Sequence, residues 1–212
     1  MAEKIKKHWD LVLVGGIGLT LAIIGMLVMS EVMVFPNFVS AATTSATTVN
    51  VTATIAETIE ITVTSTTMDL GALTTGAVAS TSDNFTVKTN AGGGYTVNLK
   101  DKNYTPTSTN PGLHKLTTPT DEIVSASTTL TAGTEGYGAQ GTTTNPNVTI
   151  DAAYNKTGNA VGALATSDQN LATGDAATTG DQSTLKLLAA ISAITAAGSY
   201  EDQLTLTAIG TF

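Results

Sequence analysis

Thr48-Val49-Asn50-Val51-Thr52-Ala53-Thr54-Ile55-Ala56-Glu57-Thr58-Ile59-Glu60-Ile61-Thr62-Val63 alternates between apolar and polar residues almost without interruption. Val49, Val51, Ala53, Ile55, Ile59, Ile61 and Val63 share one parity; Asn50, Thr52, Thr54, Thr58, Glu60 and Thr62 share the other. A period of two puts one set on a sheet face and the other in solvent, so the stretch predicts β-structure. Ala56-Glu57 interrupts the pattern and is expected to separate two strands, since one strand of that length is unusual.

The same pattern recurs downstream. Phe85 and Val87 precede Asn90-Ala91-Gly92-Gly93-Gly94, whose glycines suit a tight reversal, and Tyr95, Val97 and Leu99 follow. This predicts a hairpin over 85–99. Met68 to Leu73 reads as a short strand or bend, and Lys100 to Thr120 as a long loop or decorated edge. Ile123 and Val124, Leu130, Tyr137, and Val148 with Ile150 suggest short strands between Gly and Pro turns. Asn159 to Gly180 has little pattern. Leu185 to Ile194 fits a helical face or a strand; its position before the turn at Ala197-Gly198-Ser199-Tyr200 favours strand. Leu204, Leu206 and Ala208 alternate in the last one. Short, closely spaced strands without a convincing helix predict an all-β chain, an antiparallel β-sandwich and not a parallel α/β fold.

Ahead of this body, Lys4, Lys6 and Lys7 precede a nearly uncharged run from Leu11 to Ser30. Small residues at Val39 and Ala41 then match what a signal peptidase reads, with Ala42 as the new N-terminus. The expected organisation is a hydrophobic helix within 1–41, acting as signal peptide or anchor, and a single domain over 42–212. The run also has about the twenty residues that span a bilayer, so a retained membrane anchor is the alternative. The lysines precede the run, which leaves the C-terminal body outside the membrane in either case. A pilin-type leader is disfavoured because neither a Glu near the start of the run nor a Gly before a cut is in place. Without cysteine there is no lipoprotein anchor.

Composition narrows the function classes. The chain has 212 residues, a formal charge of −8 and no cysteine. It has no arginine either, and no basic patch to hold nucleic acid. Disulfides, thiol catalysis and zinc–thiolate sites are excluded together. No cofactor motif is present: Gly92-Gly93-Gly94 lacks the Lys-Ser/Thr and helix of a phosphate loop. His114, in a proline-flanked polar stretch, is expected at the surface. Asp121-Glu122 and Glu201-Asp202 invite a calcium reading but lack the dense spacing of such loops, and solubility and edge protection account for them. Two acids could serve as glycosidase carboxylates, yet the aromatics that hold sugar rings are scarce. Asn50, Asn84, Asn103, Asn147 and Asn155 each begin an N-x-T triplet, which threonine abundance makes frequent by chance.

Thr48 to Ile55, Leu70-Gly71, Gly94-Tyr95-Thr96-Val97-Asn98-Leu99 and the closing Ala197-Gly198-Ser199-Tyr200-Glu201-Asp202-Gln203-Leu204-Thr205-Leu206-Thr207 follow an order similar to spore coat protein U and fimbrial-type domains. WxL-type surface proteins have a more distantly similar layout. The resemblance covers most of the chain after the leader through short motifs. It implies an Ig-like or jelly-roll sandwich, exported and, in the fimbrial case, polymerised by strand exchange. The chain departs from these families in lacking the disulfide of the one and the tryptophan motif of the other.

These readings converge on an exported, noncatalytic cell-surface structural protein: a pilus or fibre subunit, or an extracellular matrix component. Its expected partners are other copies of itself, by strand pairing, and the cell envelope or an extracellular surface. The candidate donor strand contains Val49, Val51, Ala53 and Ile55; the same strand could equally close its own domain. A monomeric adhesin or carbohydrate-binding module using Lys100 to Asn147, with Tyr104 and Tyr137 on one loop face, is the alternative. A secreted hydrolase ranks third. Intact-mass measurement of the exported protein should give a chain beginning at Ala42; a mass that retains residues 1–35 would establish the anchored form instead.

Overall fold

The computed structural model describes residues 50–102 and 110–212. The leader with Val39, Ala41 and Ala42, and also Val49, Asn103 and Tyr104, lie outside the described residues. The chain divides into two units, Met1–Thr52 and Ala53–Phe212. Within the described part of the second unit every regular element is a strand.

Two four-stranded antiparallel sheets carry the architecture. The first contains β1 (Ile59–Val63), β2 (Ala79–Thr89), β11 (Thr178–Ala190) and β7 (Gly136–Thr143), in that order across the sheet. The second runs β13 (Leu204–Gly210), β3 (Tyr95–Asp101), β10 (Gln169–Gly174) and β8 (Val148–Ile150). Two smaller sheets join them: β12 (Tyr200–Glu201) with β4 (Gly112–Lys115) and β5 (Thr118–Val124), and β6 (Thr128–Thr129) with β9 (Ala160–Val161). Phe85, Val87, Leu185 and Leu187 of the first large sheet share one apolar core with Tyr95, Val97, Leu99 and Leu171 of the second. Two antiparallel sheets with a common core are consistent with a β-sandwich. Each Leu buried there contributes roughly 1.5–3 kcal/mol.

The glycine-rich turn does not form the expected hairpin. Residues 90–94 carry the chain from β2 in one sheet to β3 in the other, so the two strands face each other across the core. The reason is occupancy. β2 pairs with β1 along one edge and β11 along the other, with Thr89 opposite both Ile59 and Thr178. No edge is left for β3. The turn is then fixed from outside: the Gly93 amide donates to the Thr211 carbonyl and the Thr211 amide to the Gly94 carbonyl, both at 2.9 Å. Gly94 has φ +84° and a Cβ there would run into the Gly174 carbonyl, so glycine is required.

The opening stretch is only half strand. β1 begins at Ile59, and residues 50–57 belong to no strand. Asn90 caps the end of the ladder by imitating one more backbone unit. Its Oδ1 accepts the Thr58 amide at 2.8 Å and its Nδ2 donates to the Ala56 carbonyl at 2.7 Å. Past that point β2 has turned away, and among the described residues, 50–55 belong to no sheet. Met68, Leu70 and Leu73 form no strand either but pack against the core as half-buried side chains.

Leu185 to Ala190 lies in β11, and both of its faces are buried. Leu185, Leu187 and Ala189 enter the shared core, while Leu188 and Ala190 join Leu130 and Val161 in a small second core. That double burial is why the stretch satisfied helical and strand periods at once. The unpatterned region from Asn159 to Gly180 contains β10, where a register shift between Asn170 and Ala172 leaves Leu171 and Ala172 both fully buried.

In β13, Leu206 sits opposite Leu99 and packs on the core, whereas Thr205 sits opposite Lys100. Leu206→Asp should therefore place an uncompensated charge against the apolar core and unfold the domain in thermal melts monitored by circular dichroism. Thr205→Asp, facing Lys100, should change stability by no more than about 0.5 kcal/mol. Equal effects would overturn this register.

Candidate functional site

A cleft of about 1480 Å³ opens at the side where the two large sheets end in β1 and β13. These outermost strands lie alongside each other without a ladder between them. Ile61 and Val63 of β1, Leu204 and Leu206 of β13, and Met68, Leu70 and Leu73 of the loop between β1 and β2 line it. The strand alternation that builds the core also supplies this apolar wall, because the same inward parity continues to each sheet's last strand.

The candidate donor residues stand apart from any sheet. Val51 is 88 % exposed and Ile55 84 %, and Ala53 is exposed as well. Exposed apolar side chains on a backbone outside the sheets leave both apolar area and peptide groups in water.

Two carboxyl nodes hold the strand ends. At one, Asp181 of β11 accepts three side-chain hydrogen bonds. Tyr95 Oη donates to Oδ2 at 3.0 Å, and Asn145 Nδ2 and Thr178 Oγ1 donate to Oδ1 at 2.6 and 2.8 Å. Burial, reinforced by Asp181, pushes the Tyr95 hydroxyl well up. At the other node, Tyr137 Oη donates to Asp202 Oδ2 at 3.0 Å, and Asp101 Oδ2 accepts the Gly112 amide at 2.9 Å. Burial, with Asp202 beside it, raises the Tyr137 hydroxyl strongly. Burial and then the neighbouring Asp101 charge raise the Asp202 carboxyl to about 7, while the bonds from Tyr137 and the Gln203 amide pull the other way.

Several sequence-based expectations change here. His114 is not at the surface: it is 0 % exposed, in β4, with Nδ1 3.5 Å from Glu122 Oε2. The proline-flanked stretch that looked like loop forms an interior strand, and Glu122 on β5 faces the imidazole across their ladder. The acidic pairs are not mere solubilising charges. Asp121 binds Lys115 at 3.3 Å, Glu122 holds His114 and accepts from Asn110, and Asp202 is largely buried beside an exposed Glu201. Tyr137 is only 1 % exposed, on β7, so it cannot present a ring on a loop face. Among the described residues no group of three or more His, Asp or Glu is placed to hold a metal ion. Asn147 and Asn155 are exposed at turns, whereas Asn84 is engaged on β2, its Oδ1 accepting Thr184 Oγ1 at 2.7 Å.

Sequence reading missed Asp101, Asp181 and the burial of Asp202. Parity was the available signal: Asp101 continues Tyr95, Val97, Leu99, and Asp181 begins the series through Ser183, Leu185 and Leu187. An acid on an apolar parity marks a buried node.

Asp181→Ala would leave three donors without their acceptor. It should lower stability by about 1–3 kcal/mol in calorimetric melts, while Asp175→Ala in the exposed turn should stay within about 0.5 kcal/mol. Matching losses would show that the Asp181 node is not structural.

No protein-family pattern matches the chain, and no curated protein is similar to it.

Proposed function

We propose that the protein is an exported, noncatalytic structural subunit of a cell surface, with an Ig-like or jelly-roll body, joined to its neighbours by a strand donated from residues 47–55. The observation that carries this reading is the exposure of Val51 and Ile55 on a tail outside every sheet. Two exposed aliphatic side chains two pleats apart are costly in water and each gain roughly 1.5–3 kcal/mol when buried. A sheet edge on another copy offers that burial together with the backbone bonds the tail lacks. The apolar cleft beside β1 and β13 is the matching surface on the body, since the inward residues of both strands open onto it.

Charge and composition agree with a surface role. The net charge of −8 keeps the bodies soluble and apart except where strands pair. Threonine-rich strands need neither disulfides nor cofactors to hold their form.

The test is assembly. Sizing of the mature protein should show self-association, and a chain lacking residues 47–55 should be monomeric. A synthetic peptide of that sequence should bind the shortened chain one to one and give a folded unit that does not extend, because a peptide carries no second cleft. A full-length protein that stays monomeric at high concentration, with the Val51 and Ile55 amides protected from hydrogen exchange, would overturn the proposal.

A further inference from the structure

Asp101 ends β3, and Asp202 lies between β12 and β13. The pairing of β3 with β13 brings these points together: Leu204 is opposite Asp101, and the Lys102 amide donates to the Gln203 carbonyl at 2.8 Å. Asp101 is fully buried, and its charge and side chain bear on the titration of Asp202. Asp202 Oδ2 takes the Tyr137 hydroxyl, while its Oδ1 is buried without a donor opposite it. Lys102, the adjacent base in the chain, keeps its side chain exposed. Two neighbouring interior carboxyls cannot both remain ionised at low cost, and one proton relieves the repulsion and gives the orphaned oxygen a hydrogen to share.

The position of this pair gives the proton a mechanical consequence. Asp202 and Gln203 are the only residues linking β12, which pairs with β4, to β13, which pairs with β3. Tyr200 to Leu206 forms one wall of the apolar cleft. Leu204 to Leu206 are laddered to β3, whereas residues 200–203 have only the two-residue ladder of β12 and the Gln203 carbonyl bond to hold them.

We propose that Asp101 and Asp202 share one proton, and that this proton latches residues 200–203 on the wall of the cleft, which loosen when the proton is lost. The other ionisable groups around the joint are Tyr137 from β7, His114 and Lys115 opposite Glu201 and Tyr200 on β4, and Lys102 after β3. Across the cleft, Asp69 and Asp83 are satisfied by the Gly71 and Ser65 amides. The sign follows from a raised carboxyl. The folded chain holds the proton more tightly than the unfolded chain does, so the latch is complete at the acid end. It weakens as pH climbs from the ordinary aspartate range and is gone above about 7. This inference rests on the joint itself and stands or falls independently of self-assembly.

Hydrogen exchange on the full-length protein at pH 5.5 and 8.5, corrected for intrinsic rates, tests it. Amides of 200–203 should lose about tenfold in protection at the higher pH relative to those of 184–189 in β11, equivalent to one pKa unit of coupling. Asp202→Asn keeps an acceptor for Tyr137 and removes the shared charge, so it should erase the difference. An unchanged ratio in the wild-type chain, or the full pH effect in the variant, would overturn the latch. If the variant fails to fold, the ¹³C carboxyl resonance of Asp202 in the wild-type chain decides: a midpoint near 7 sustains the proposal and an ordinary aspartate midpoint ends it. Restored protection on adding calcium at pH 8.5 would mean that a cation, not a proton, fills the site, and would also overturn it.

Discussion

The fold depends on the saturation of β2. A strand has two edges, and both of this one are filled, by β1 on one side and β11 on the other. The chain leaving β2 therefore cannot fold back beside it and must cross to start a second sheet. That crossing places Phe85 and Val87 over Tyr95, Val97 and Leu99, so the two inward parities meet and a core closes between them. β11 itself is made long enough to be paired along most of β2, which ties together segments a hundred residues apart, as in the Thr184 to Asn84 hydrogen bond.

Polar groups carried inward by that arrangement meet opposite fates. Asp181 has three donors aimed at its two oxygens, so its burial is offset by hydrogen bonds. Asp202 has the Tyr137 hydroxyl on Oδ2, help from the Gln203 amide, no partner on the buried Oδ1, and a second acid close by. The first node closes the sandwich at a place where nothing has to move. The second sits at a two-residue link on the rim of a cleft, beside the two-residue ladder of β12. Their difference lies in the number of donors and not in the residue type.

The sequence makes the fold class legible because alternation survives wherever one face is wet: β1, β2, β3 and β13 can all be read directly. It conceals strands whose two faces are both buried, as in Leu185 to Ala190, or whose parity slips at a bulge, as at Leu171 and Ala172. Pairing partners are concealed more deeply. A glycine turn between two alternating runs reads as a hairpin, and only the occupation of β2 by distant β11 prevents one. At the candidate site, the donor residues are legible as a pattern, but their status as an unpaired tail depends on where β2 ends. His114 was misread because its neighbours Pro111, Gly112 and Lys115 look like loop, whereas the β4–β5 ladder buries it against Glu122.

The end of β2 also explains why an apolar alternation is left in water. Asn90 supplies one imitation backbone unit to Thr58 and Ala56, and then the chain turns through Gly92 to Gly94 toward the other sheet. To pair Val51 and Ile55 with β2, that strand would have to run about eight residues further, at one residue of partner per residue of strand. The turn forbids that extension, because Gly94 is pinned by Thr211 and has no room for a side chain against Gly174. The constraint that closes the core thus also strands the tail. Val51 and Ile55 therefore keep one parity in a segment that β2 does not reach, and both stand exposed.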